Sequence, residues 1–214
     1  ECADKIKNDL KAIDLLINNA GVVNTEYSET IDGIENTFAV NHLGYFLFTN
    51  LLLDLVKKES ESRIINVSSA AHHFVKGMQW DDINYKDDFK MGLKAYGQSK
   101  LGNILFTKQL AKKLQKDGVT VNAIHPGGVN TSLGNQNNSL LGRVLKIILK
   151  PFFRSPLKGA NTIIYLAEID GLSITGAYWV DGRVAKTSHY SKNEAEAEKL
   201  WRLSEKLVNQ EFDI

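Results

Sequence analysis

Ile13-Asp14-Leu15-Leu16-Ile17-Asn18-Asn19-Ala20-Gly21 is the stretch on which the fold turns. Ile13 to Ile17 is a short apolar run that breaks abruptly into two amides and a glycine. Strands buried on both faces carry nearly continuous apolar character, whereas half-exposed strands alternate. Two similar runs follow, Arg63 to Val67 and Val119 to Ile124, at intervals of roughly 50 residues. Each interval has room for a long helix, which predicts parallel strands joined by crossovers. A fourth run, Ala177 to Val180, ends at the turn Asp181-Gly182.

Helical periodicity fills the intervals. It predicts helices over Ile34 to Lys58, Ala95 to Gln115 and, at the end of the chain, Lys192 to Asn209. In the second, Leu101, Ile104, Leu105, Leu110 and Leu114 form an apolar face opposite Lys108, Lys112 and Lys113, with Gly118 as the expected C-cap. In the last, Ala197, Leu200, Trp201, Leu203 and Leu207 make the stripe. Thr37 to Leu53 is uncharged, but Asn41, His42 and Asn50 interrupt it, so it reads as a buried helix and not a membrane span. There is no repeat and no linker. The expected fold class is α/β, a doubly wound parallel sheet in one domain over residues 1–214.

Composition excludes other classes. At 43% hydrophobic and 24% charged residues, disorder and low complexity fail. A net charge of +1 recommends no nucleic acid partner. The single cysteine, Cys2, leaves no intramolecular disulfide and no thiolate cluster, which fits a reducing compartment, and no metal is expected. Glu1-Cys2-Ala3-Asp4-Lys5 shows no targeting pattern and opens in the middle of a polar helix, so a preceding segment is expected.

Tyr96 and Lys100 stand four apart, one above the other on a helix face. With 7 tyrosines and 21 lysines in 214 residues, chance alone supplies about 0.7 such pairs, so the pair means little by itself. Its surroundings add weight. Asn18-Asn19-Ala20-Gly21, Asn66-Val67-Ser68-Ser69 and Pro126-Gly127-Gly128-Val129 with Thr131 all follow strand runs at their carboxyl ends. Ligands of open parallel sheets bind at that edge. Asn41, inside an apolar helix, needs a reason to be tolerated there.

These residues resemble the short-chain dehydrogenase/reductase family, whose Asn-Asn-Ala-Gly, Asn, Ser, Tyr-x-x-x-Lys and Pro-Gly elements stand here in order. Ala71-His72-His73, Asn103-Ile104-Leu105-Phe106 and His125-Pro126-Gly127 resemble its retinol dehydrogenase branch. The resemblance implies Asn41, Ser69, Tyr96 and Lys100 as catalytic residues. It implies Asn19, Ala20, Gly21, Val67, Tyr96, Lys100, Pro126, Gly127, Val129 and Thr131 along the cofactor, with NADP(H) favoured over NAD(H). Tyr96 would be the general acid and base, Lys100 would hold the nicotinamide ribose, Ser69 the substrate oxygen and Asn41 a proton-relay water. Ser68 is the alternative to Ser69. A phenol with a reference pKa of about 10 needs a nearby cation to work at neutral pH, and Lys100 beside a positive nicotinamide would lower it.

One departure is large. The family's glycine-rich turn, whose backbone amides approach the pyrophosphate, is absent from these 214 residues. The expectation is an incomplete Rossmann-type domain, inactive alone, with Ile13 to Ile17 left as an apolar edge.

From Gly118 to Ala167 there is no Asp or Glu, while Arg143, Lys146 and Lys150 share a helix face and Leu141, Val144, Leu145, Ile148 and Leu149 cover the others. Residues 132–158 are expected to form a substrate lid, with 140–154 contacting an anionic membrane surface. An intracellular site on an endoplasmic reticulum or mitochondrial membrane follows from that expectation, and an oligomer stays open. The function implied is interconversion of a lipophilic, retinol-like alcohol and its carbonyl form. A carbonyl or steroid reductase is the alternative, as is a noncatalytic membrane-associated protein should these residues be the whole product. Ser155-Pro156-Leu157-Lys158 matches S-x-x-K by chance, and adjacent His72 and His73 are expected to diverge, suiting hydrogen bonds better than a shared metal.

Overall fold

The computed structural model describes residues 1–128 and 155–214. Helix α1 (Cys2–Asp9) precedes strand β1 (Leu15–Asn18). Helix α2 (Asn36–Val56) crosses to β2 (Arg63–Val67), and α3 (Leu93–Lys113) crosses to β3 (Thr120–His125). Helix α4 (Pro156–Glu168) leads to β4 (Tyr178–Val180), followed by β5 (Arg183–Val184) and α5 (Glu194–Leu207). The sheet order is β1-β2-β3-β4-β5, parallel except for the antiparallel β4–β5 pair. The four sequence runs are β1 to β4, with β2 starting at Arg63 as expected and the other three starting one or two residues later.

Register explains the two faces. Leu16 pairs with Ile64 and Ile64 with Val121, and this row packs against Phe46 and Leu52 of α2, Phe106 and Leu110 of α3 and Trp201 of α5. Ile65, Val67, Ile124 and Trp179 meet Ile163 and Leu166 of α4 on the other face. Helices on both faces make the sheet doubly wound. Strand β1 is the edge strand of the sheet, as expected for Ile13 to Ile17, and Leu15 and Ile17 remain 36% and 39% exposed despite the apolar run.

Other expectations shift for identifiable reasons. Ile13 is outside β1 because its N–H is bonded to Leu55 O at the end of α2. Gly118 is not a C-cap: α3 ends at Lys113 with Leu114 capping, and Gly118, at φ +72°, turns the chain into β3. Helix α2 is long and apolar enough to cross a membrane by composition, but Phe38, Phe46, Leu52, Leu53 and Val56 are packed inside the protein. Ser155 caps α4, its hydroxyl accepting from Lys158 N–H at 3.3 Å with Pro156 following it, so the S-x-x-K match is a helix start. Val129, Thr131 and the segment 140–154 lie outside the described residues, as does most of the lid expected over 132–158.

Candidate active site

Helix α2 carries a π-helical turn at Ala39–Leu43, a local widening often found at functional sites. It turns Asn41 and His42 into the protein, where both are fully buried. Asn41 Oδ1 accepts from Val22 N–H at 2.7 Å, and its Nδ2 donates to Val22 O at 2.9 Å and Ser99 Oγ at 3.0 Å. The amide therefore braces the loop after β1 against α3, and Ser99 Oγ donates to Tyr96 O at 2.8 Å. Gly21 lies under this brace: a Cβ there would be 3.0 Å from Asn41 Oδ1 and 3.6 Å from Lys100 Nζ. Asn19 and Ala20 are exposed at the carboxyl end of β1.

The strand ends carry a buried amide ladder that motif reading missed. Asn18 and Asn66 are register neighbours on the face toward α2 and α3. Asn18 Nδ2 donates to Thr49 Oγ1 and to Asn66 Oδ1, each at 2.8 Å, and Asn66 Nδ2 donates to Thr107 Oγ1 at 2.9 Å. Buried amides must be paired, and here they pair with each other across two strands and two helices. The available signal was two asparagines in otherwise apolar strands.

Lys100 is only 3% exposed, and its Nζ donates to Val67 O at 3.1 Å. Asn103 Nδ2 donates to the same carbonyl at 3.1 Å. Nζ also lies 5.6 Å from the centre of the Tyr96 ring and 5.8 Å from that of Tyr45. Burial without a carboxylate partner pulls the ammonium down to a pKa of about 8. Burial raises the pKa of Tyr96, and a hydrogen bond with the Ser69 side chain only partly offsets this. In the protein alone, desolvation of the phenol dominates.

Ser69 and Ser68 are separated by what their hydroxyls touch. Ser68 Oγ donates to Lys100 O at 2.7 Å and is buried. Ser69, capping the short 3-10 turn Ala70–Phe74, turns its hydroxyl toward Tyr96 and accepts from Ala71 N–H at 3.2 Å. Gly97 lets this turn sit on α3, since a Cβ there would be 2.8 Å from Ala71 O and 3.2 Å from Phe74 Cβ. Gly97→Ala is expected to cost about 1–3 kcal/mol, as overpacking does, measured by urea unfolding; an unchanged midpoint would refute the contact. Pro126 and Gly127 follow β3 half-buried, with Gly127 at φ +81°.

His42 and His72 are buried and neutral, their pKa values pushed down to about 4, in both cases chiefly by burial. His42 Nε2 lies 2.9 Å from Ser204 Oγ, and its ring packs over Gly102, where a Cβ would be 3.2 Å from Nδ1. The folded state binds fewer protons than the unfolded chain between pH 6.5 and 4. Stability is therefore full above about pH 6.5 and falls as the pH drops through 4. Fully buried His42 alone should cost about 2 kcal/mol between pH 7 and pH 5. Urea midpoints that do not differ between those pH values would contradict this burial. His72 and His73 do not diverge as expected: their ring centroids lie 3.9 Å apart with the planes tilted by 38°, and His72 is tethered through both nitrogens.

The site thus gathers Ser69, Tyr96 and Lys100, braced by Asn41 and Asn103, at the carboxyl ends of parallel strands. That arrangement defines a Rossmann-type α/β protein with its polar site at the sheet edge where such folds bind ligands. Comparisons with known proteins narrow the class. The family model described as enoyl-(acyl carrier protein) reductase matches residues 1–182. Retinol dehydrogenase 14 of Mus musculus is 43% identical over 201 residues, covering 92% of this chain and 59% of its own length. Retinol dehydrogenase 13 of Homo sapiens is 42% identical over 217 residues, covering 99% and 65%. Among solved structures, an uncharacterized protein from Mycobacterium Paratuberculosis superposes with a TM-score of 0.74 at 30% identity, over 99% of this chain and 73% of that one. The Pseudomonas aeruginosa RhlG/NADP active-site complex does so with a TM-score of 0.61 at 26% identity, over 83% and 68%. The chain belongs to the short-chain dehydrogenase/reductase family. It spans about three fifths of the length of the first retinol dehydrogenase it matches.

Proposed function

We propose that this chain carries the proton-transfer site of an NAD(P)(H)-dependent oxidoreductase that interconverts a lipophilic, retinol-like alcohol and its aldehyde or ketone. The observation that carries the reading is the Ser69–Tyr96 hydroxyl pair beside Lys100, a buried amine with no carboxylate partner. Among the described residues Lys100 has one acceptor, Val67 O, for three N–H bonds, so it fits a group that presents neutral hydroxyl oxygens, as a nicotinamide ribose does. Gly21 and Val67 flank that position. The adenosine and pyrophosphate part would rest on a glycine-rich turn that these 214 residues do not contain.

The nicotinamide supplies or accepts the hydride. In carbonyl reduction, Tyr96 donates its phenolic proton to the substrate oxygen, which Ser69 holds by a second hydrogen bond. In alcohol oxidation, Tyr96 takes that proton back. In the protein alone burial holds the Tyr96 phenol in its acid form and makes it a weaker proton donor. A positive nicotinamide close by favours the phenolate and eases the reverse step. NADP(H) is the cofactor favoured; similarity to the NADP complex of RhlG supports it.

Similarity to retinol dehydrogenases supports the substrate class. The complete protein should consume NADPH with retinal, and NADH less well. Turnover of a steroid ketone or small carbonyl without turnover of retinal would point to the alternative reductase. We also propose that segment 140–154 contacts an anionic membrane surface, at an intracellular membrane, and admits the substrate from it. Vesicle sedimentation of the complete protein should weaken when Lys146 and Lys150 become glutamate. Unchanged binding to acidic vesicles would remove that part of the proposal.

A further inference from the structure

Ser69 stands just beyond the sheet. The β2–β3 register ends at the Val67–Ile124 pair, and Ser68 N–H still bonds to Ile124 O, but Ser69 has left the ladder. Its carbonyl is held by one residue, His72, through the backbone N–H at 3.2 Å and through ring Nδ1 at 2.6 Å. The other ring nitrogen, Nε2, lies 3.2 Å from Ser188 N–H. A backbone N–H only donates, so Nε2 must offer a lone pair. The proton of the neutral ring is therefore on Nδ1, donated to Ser69 O. No other tautomer satisfies both contacts.

The far end of this tie is itself braced. Ser191 donates to Ser188 O through its hydroxyl at 2.8 Å and its N–H at 3.2 Å. The ring is fully buried, tilted against His73, and edge-on to Tyr178 at 5.1 Å, with His125 also near enough to act on it electrostatically. A second ring proton would set two donors against each other at Ser188.

We propose that His72, as the neutral Nδ1–H tautomer, is the positioning residue for Ser69: it ties the Ser69 carbonyl to the Ser188–Ser191 turn and so aims the Ser69 hydroxyl at Tyr96. The inference rests on the function proposed above, and it extends that function from the reacting groups to what holds one of them.

Two measurements on the complete protein test it. The ring nitrogens of His72, labelled with 15N, should show a neutral ring protonated at Nδ1 at pH 7. A ring protonated at Nε2, or a cation, overturns the tie whether or not the protein reduces retinal. Kinetics give the second measurement. His72→Phe should lower kcat by on the order of 100-fold with little change in KM for NADPH, the scale expected when a reacting group is misplaced by an ångström. In a Ser69→Ala background the same change should cost under about threefold, since the residue it acts through is gone. Equal losses in both backgrounds would make His72 merely structural and overturn the proposal. If the Phe variant does not fold, His72→Asn replaces it: its amide can still donate to Ser69 O, and it should keep activity within about fivefold. A loss as large as that of Ser69→Ala would overturn the role. A wild-type protein inactive on retinal, with the Nδ1–H tautomer present, would count against the function alone.

Discussion

Tyr96→Phe in the complete protein is expected to lower kcat for retinal reduction by about 10³-fold, within the usual range for losing a general acid. The substitution is conservative everywhere else. The ring keeps its place above Lys100 Nζ, and the Tyr96 carbonyl keeps its bond from Ser99. Only the hydroxyl that meets Ser69 is removed. NADPH affinity should change little, because Lys100 remains anchored on Val67 O. The measurement is steady-state kinetics with NADPH and retinal, separating kcat from KM. Turnover within a factor of a few of wild type would remove proton transfer from Tyr96 and the enzyme reading with it.

Gly92→Ala should be the most destabilising single methyl in the described structure. Gly92 has φ +68°, and a Cβ there would lie 2.0 Å from Asn24 O and 3.0 Å from the Phe89 ring. Lys90 and Met91 before it are also left-handed, so the chain is wound tightly just ahead of α3. A backbone carbonyl cannot rotate away as a flexible side chain can. The loop after β1 must move or α3 must start differently. Left-handed strain and overpacking together predict a loss of roughly 3–5 kcal/mol. That exceeds the effect expected at Gly97, where the contact is 2.8 Å. Urea unfolding of the complete protein reads the loss directly. A midpoint within error of wild type would show that the 24–92 contact does not exist in solution.

The two effects differ in kind. One concerns a hydroxyl whose value lies in its chemistry, the other a missing methyl that lets two loops touch. Tyr96 was legible in the sequence because helical spacing put it one turn from Lys100 and three strand ends converged nearby. Gly92 was not, since its neighbour Asn24 is 68 residues away and nothing local requires a glycine there. His42, Asn103 and His72 were hidden for the same reason. Each is a polar residue whose partner lies on another element: Ser204 for His42, Val67 O for Asn103, Ser188 for His72. Asn41 was noticed as an odd amide, but its partners were not legible. Its side chain braces Val22 and Ser99, which sequence spacing could not reveal.

Protonation followed the same division. The sequence supplied a phenol and an amine four residues apart, and simple electrostatics then argued for an acidic phenol. Packing supplied the desolvation, and desolvation dominates both groups: Tyr96 rises and Lys100 falls to about 8.

From its sequence alone, then, this protein had its parallel strands and crossover helices determined, because apolar periodicity acts between near neighbours, while the Ser-Tyr-Lys set came from its resemblance to a family. Tertiary structure alone decided which hydroxyl faces Tyr96, where Asn18 and Asn66 find partners, and which ring nitrogen of His72 holds its proton. Those outcomes depend on groups brought together from distant parts of the chain, and only packing, with the burial it imposes, brings them within a hydrogen bond's reach.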